Sequence, residues 1–161
     1  MADTLLPKSK TLRRNGTLFD LPGFLVGICD RRKYVRWLQR KAAAHVRRDR
    51  ERFGPESCTI ARYKAKIHEA VCAGGDHDYY TGLPLDWKLI STFENDNAKA
   101  GRGDYMRKFG NLPTIDHTRD TEGKLRFVIC SWRVNDAKSH LSEDEFCKLC
   151  EQVMAYRKGK K

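Results

Sequence analysis

The stretch from Pro113 to Lys138, PTIDHTRDTEGKLRFVICSWRVNDAK, decides the fold. Pro113 to His117 and Leu125 to Trp132 are rich in β-branched and aromatic residues and read as strands. The polar segment Thr118 to Lys124, with Gly123 near its end, turns the chain back between them, so the two runs form a β-hairpin. A short helix is expected to follow over Arg133 to His140, with Asn135 and Lys138 one helical turn apart. Ser142 with Glu145 three residues on then makes a capping box for a final helix. Its Phe146, Leu149, Cys150, Val153 and Met154 recur at helical spacing, and the one CxxC pair, Cys147 and Cys150, reads as core packing on that helix.

Upstream the pattern is helical. From Asp30, a plausible N-cap, RRKYVRWLQRKAAAHVRRDRER places Tyr34, Leu38, Ala42 and His45 or Val46 on one face. Arg36, Arg40, Lys41, Arg47 and Arg48 crowd the remaining surface, relieved only by Asp49 and Glu51. That imbalance lacks the alternating acids that stabilise an isolated surface helix, and it suits a polyanion. Gly54 and Pro55 break the run, after which Ser57 or Thr59 caps a second helix with Ile60, Tyr63, Ile67 and Val71 on one side. A basic helical hairpin over residues 30–72 results. Ala73 to Asp78 reads as a loop, Tyr79 to Thr81 as a short strand and turn, and Asp86 to Phe93 and Tyr105 to Phe109 as helical pieces around the polar segment Glu94 to Gly103. Trp37, Trp87 and Trp132 read as packing residues.

A chain of 161 residues suits one compact domain, with an N-terminal arm over residues 1–29, the basic hairpin, and residues 73–161 carrying the strands. The fold class is α+β, mainly helical with one small hairpin in the C-terminal third. The 32 Lys and Arg outnumber the 21 Asp and Glu, a formal charge of +11 that attracts phosphates through counterion release. Nucleic acid is the expected partner; an acidic protein or an anionic membrane surface is the alternative that charge alone leaves open. No run approaches the roughly 20 apolar residues that span a bilayer, and the start does not read as a signal peptide, so a cytoplasmic location with reduced cysteines is expected.

Asp116-His117 on the first strand, followed after the hairpin by Asn135-Asp136-Ala137-Lys138, resembles the ββα-metal active site of HNH endonucleases, in its Asp-His and Asn-x-x-Lys form. The resemblance covers residues 113–141. It implies an enzyme that hydrolyses phosphodiester bonds, most naturally in DNA, with a divalent cation such as Mg²⁺ or Mn²⁺. Asp116 and Asn135 would supply hard oxygen ligands, His117 would act as general base, and Lys138 would touch a phosphate. Arg119 and Arg133 are further phosphate candidates. Where the family often braces the base with an Asn before the second strand, this chain has Lys124, Leu125 and Arg126, so another group must orient His117. His140, a second-ligand candidate, falls one residue past the i+4 position that would share a face with Asn135. Asp76-His77-Asp78 looks ligand-like but has no partner motif. The rival reading is a nucleic-acid-binding module without catalysis.

Overall fold

The structure, a computed structural model, describes residues 19–53, 58–92, 102–119 and 125–160. Asp30 opens α1 (Arg31–Phe53) by accepting the Lys33 N–H on Oδ1 at 2.8 Å, which satisfies a donor that the first turn leaves orphaned. Of the two caps the sequence offered, Thr59 starts α2 (Ile60–Gly74), its hydroxyl accepting from the Arg62 N–H. The expected stripes converge: Tyr34, Trp37, Leu38, Ala42 and Val46 of α1 and Tyr63, Ile67 and Val71 of α2 are buried together. Ile60, at the start of α2, stays partly exposed. Trp87 joins this core from a 3-10 turn over Trp87–Ser91, where a helical piece was expected, and meets Trp37 edge-on at 5.2 Å between ring centroids. The polar segment expected over Glu94 to Gly103 lies mostly outside the described residues.

After α3 (Arg102–Phe109), β1 (Pro113–Arg119) and β2 (Leu125–Ser131) form an antiparallel pair in which Asp116 faces Val128 and His117 faces Phe127. Alternation along the strands gives the hairpin two different faces. Ile115, Phe127 and Ile129 join the core built by α1 and α2, and His117 points the same way. Thr114, Asp116, Val128 and Cys130 form the opposite, also buried, face. Ser131 caps α4 (Trp132–Lys138) by accepting the Val134 N–H, so Asn135 is not the cap and its amide is spared that duty. Trp132 is half-buried against Tyr105. The molecule is thus mainly helical, with a two-stranded antiparallel sheet and a strand–helix unit near the C-terminus, an α+β arrangement.

The loop before the 3-10 turn departs from expectation. Tyr79 to Thr81 is a turn, not a strand, because Asp78 Oδ1 accepts the N–H groups of both Tyr80 and Thr81, at 2.8 and 3.0 Å. Asp78 Oδ2 takes the Ser131 N–H at 2.6 Å, so this carboxylate, 2% exposed, ties the loop to the junction of β2 and α4. Its role is a brace, while Asp76 pairs with His77 at the surface. α5 (Glu143–Lys158) also departs from expectation. The capping box of Ser142 and Glu145 forms as expected, but no residue of the helix is buried. Its described contacts with the body come from the first turn, through Glu143 to the Tyr79 hydroxyl and Phe146 to the Tyr80 ring. Cys147 and Cys150 are therefore exposed rather than packed in a core. Among the described residues no helix is long and apolar enough to cross a membrane.

The brace gives a stability prediction. Asp78→Ala strands buried N–H groups and is expected to cost about 3 kcal/mol, as for the loss of charge-assisted backbone bonds, whereas Asp78→Asn, which retains one acceptor oxygen, costs less. Urea denaturation midpoints of the three proteins check this order.

Candidate functional site

Asp116 and His117 on β1 and Asn135 and Lys138 on α4 line one cleft of about 1030 Å³. The hairpin supplies one wall, α1 and α2 the second, and α4 with the start of α5 the third. All four residues singled out from the sequence for chemistry are therefore brought together, although adjacent positions on β1 give Asp116 and His117 different surroundings.

Asp116 sits on the α4 side. Its Oδ2 accepts a 2.6 Å hydrogen bond from the Tyr80 hydroxyl and lies 3.1 Å from Lys138 Nζ. Asp116 is 8% exposed and Lys138 4%, so the ion pair is shielded from solvent, and Lys138 extends to the carboxylate rather than into open water. Burial and the neighbouring Asp116 carboxylate push the Tyr80 phenol well above its ordinary range, which keeps it a donor.

His117 sits on the α1 side, its ring 4.2 Å from that of His45 and 5.0 Å from that of Phe127, centroid to centroid. Its Nε2 lies 3.6 Å from Asp49 Oδ2, within ion-pair range and slightly long for a hydrogen bond. The same oxygen of Asp49, a residue 1% exposed, accepts the Tyr63 hydroxyl at 2.7 Å. Asp49 of the basic helix thus stands where the sequence left the orientation of His117 without a source. Neither Asp49 nor Tyr80 was legible as a site residue, since each reaches its partner across a large sequence separation. The one available signal for Asp49 was its isolation among arginines, one turn after His45 on the same helix.

His45 is buried, and desolvation, with the adjacent His117, Arg48 and Lys41, holds its pKa down at about 2. Its Nδ1 receives an Arg48 guanidinium N–H at 3.0 Å, as a neutral ring allows.

The basic candidates divide. Arg48 lines the cleft, joined by Arg62 and Lys66 of α2, which the sequence had not singled out. Lys41 turns inward, donating to Thr114 Oγ1 at 2.8 Å, and burial lowers its pKa to about 8. Arg40 approaches the Ile90 carbonyl, Arg133 donates to Asn111 Oδ1, and Arg36 and Arg47 are exposed on α1 outside the cleft. The Arg119 side chain lies outside the described residues. His140 lines the cleft but has left α4, because Ser139 adopts a left-handed conformation with φ 53°.

The donor set suits a hard divalent cation in one respect: a carboxylate and an amide from two elements face the same cleft, and both described contacts of Asp116 fall on Oδ2, leaving Oδ1 as the oxygen to offer. Lys138 is a competing positive charge at the same carboxylate. Among the described residues, no group of three or more His, Cys, Asp or Glu side chains is arranged to hold a metal. Comparison of the chain with family models, with curated proteins and with solved structures finds no match.

A depressed histidine pKa has a defined linkage. Below the ordinary value of 6.5 the unfolded chain protonates His45 while the folded chain does not until about 2, so the stability present above pH 6.5 is lost as pH falls through this window. At pH 5.5, one unit below the reference value of ~6.5, the loss is about 1.4 kcal/mol, or roughly 3–6 °C in Tm for a chain of this size. His45→Phe, which keeps the ring contact, is expected to shrink the Tm difference between pH 7.5 and pH 5.5 by that amount in paired thermal melts.

Proposed function

We propose that this protein is a metal-dependent endonuclease of the HNH type that hydrolyses phosphodiester bonds in DNA. The observation that carries the reading is the convergence of Asp116, His117, Asn135 and Lys138 on one cleft whose α-helical wall bears Arg48, Arg62 and Lys66. Binding alone requires only basic groups and gives no reason for a carboxylate, an imidazole and an amide to gather at the same place.

In this reading Asp116 and Asn135 hold a divalent cation, which supplies positive charge where negative charge develops on the phosphate. Arg48, Arg62 and Lys66 draw in the backbone of the nucleic acid and fix its position without reading sequence. His117 takes the proton of the attacking water. Its Nε2 faces Asp49, whose carboxylate favours the imidazolium that forms. Tyr63, donating to Asp49, keeps that carboxylate turned toward the ring. Lys138 neutralises Asp116 and carries a positive charge at the edge of the site.

A second reading draws on one observation. The 3.1 Å contact between Lys138 and Asp116 uses the carboxylate that a cation would need, as suits a nucleic-acid-binding module without catalysis. Plasmid relaxation separates the two. Wild type is expected to nick supercoiled DNA with Mg²⁺ or Mn²⁺ and not with EDTA, His117→Ala to bind DNA but not cut it, and Asp49→Asn to cut about 10- to 100-fold more slowly, the usual cost of losing an orienting partner. Metal-independent cutting, or cutting retained by His117→Ala, would overturn the HNH assignment. DNA binding without any cutting would favour the second reading.

A further inference from the structure

Arg32, Arg36, Arg40 and Arg47 of α1 are exposed, and none of them lines the cleft. At about 100° per residue they fall within about 80° of one another, on the side of the helix opposite Leu38, His45 and Asp49. Arg48, which does line the cleft, lies about 120° around the axis from Arg36. The side chains of Arg32, Arg36 and Arg47 form no described hydrogen bond or ion pair, not even Arg47 with Glu51 one turn on. Arg40 only approaches the Ile90 carbonyl, at 3.5 Å.

This ridge does not serve the helix that carries it. Like charges one turn apart, Arg32 with Arg36 and Arg36 with Arg40, oppose helix formation, and α1 is held instead by burial of its other face. The chemistry of the ridge selects one class of ligand. Between the arginines the face carries Gln39 and Ala43, with no aromatic or long aliphatic side chain to enter a lipid interface or to anchor in a protein pocket. All four cations are guanidinium groups, whose fixed forks match pairs of phosphate oxygens, whereas Lys41 of the same helix turns inward to Thr114. From Arg32 to Arg47 the helix rises roughly 22 Å, a length over which a duplex carries about 13 phosphate charges.

We propose that the outer face of α1 is a second nucleic-acid-binding surface, separate from the cleft, that grips the phosphate backbone of a duplex without reading its sequence. The proposal takes its class of partner from the nucleic-acid reading given above and requires neither a metal nor catalysis.

Fluorescence anisotropy with a labelled DNA duplex in EDTA, over a series of KCl concentrations, tests it. Arg48→Gln with Arg62→Gln and Lys66→Gln disables the cleft, and this variant is expected still to bind the duplex through the ridge. Adding Arg32→Gln, Arg36→Gln and Arg47→Gln is expected to lower the slope of log K against log salt by about 2–3, at about 0.9 per lost phosphate contact, and to weaken binding equally for duplexes of unrelated sequence. Lysine at the same three positions keeps the charge and is expected to keep the slope. Circular dichroism checks that each variant keeps its helices. A cleft-disabled protein that no longer binds, a slope indifferent to the three ridge changes, or a lysine variant that loses as much slope as the glutamine one would each overturn the proposal. Sedimentation with phosphatidylserine vesicles is expected to leave the protein in solution; capture that the ridge changes abolish, with the duplex slope unaltered, would assign the surface to a membrane instead. Plasmid relaxation reports separately on cutting, so a failure of the nuclease reading and a failure of the ridge are distinguishable.

Discussion

A two-stranded hairpin is marginal in water, and this one exists because both of its faces are buried. One face presses Ile115, Phe127 and Ile129 into the core of α1 and α2, and the other is covered by α4 and the loop that Asp78 holds. The site follows from that constraint. Packing the hairpin on α1 and α2 to bury Phe127 also brings His117 against His45 and within ion-pair reach of Asp49. Closing the other face brings Tyr80 and Lys138 to Asp116. The polar contacts sit where apolar burial has already fixed the backbone.

The electrostatics of the cleft are layered. Within it, two buried carboxylates meet described partners: Asp116 has Lys138 and Tyr80, and Asp49 has Tyr63 and, when protonated, His117. His45 remains neutral behind them, which spares the buried layer a further cation. Around this layer stand Arg48, Arg62 and Lys66, whose field reaches into solvent and is screened over about 8–10 Å at ordinary ionic strength. Charge facing solvent and orientation of the inner groups thus fall to different residues.

Much of the frame was legible because it is local. The caps at Asp30, Thr59 and Ser142 and the stripes of α1 and α2 are each set by neighbours a few residues away, and the strand runs of the hairpin could be read without tertiary information. The Asp116-His117 and Asn135-Lys138 pairs were legible for the same reason, each lying within one element. What could not be read were the pairings between elements: Asp49 with His117, Tyr80 with Asp116, and Asp78 with Ser131. The expected strand at Tyr79 failed because the preceding Asp78, held by the Ser131 N–H, takes the Tyr80 and Thr81 N–H groups and sets the backbone there. On α5 the periodicity correctly gave a helix with an apolar stripe, but periodicity is silent about whether the surface that covers a stripe belongs to the same chain.

The period of a strand explains why two adjacent titratable residues can hold separate roles. Side chains at consecutive positions of β1 leave on opposite faces, so Asp116 and His117, though neighbours in the chain, meet no described partner in common. A direct contact between them would tie the charge state of one to that of the other. Here the imidazole takes its orienting carboxylate from α1, on the far side of the strand from Lys138. The surroundings of Asp116 and of His117 are thereby set by different elements, and the hairpin holds both at one cleft.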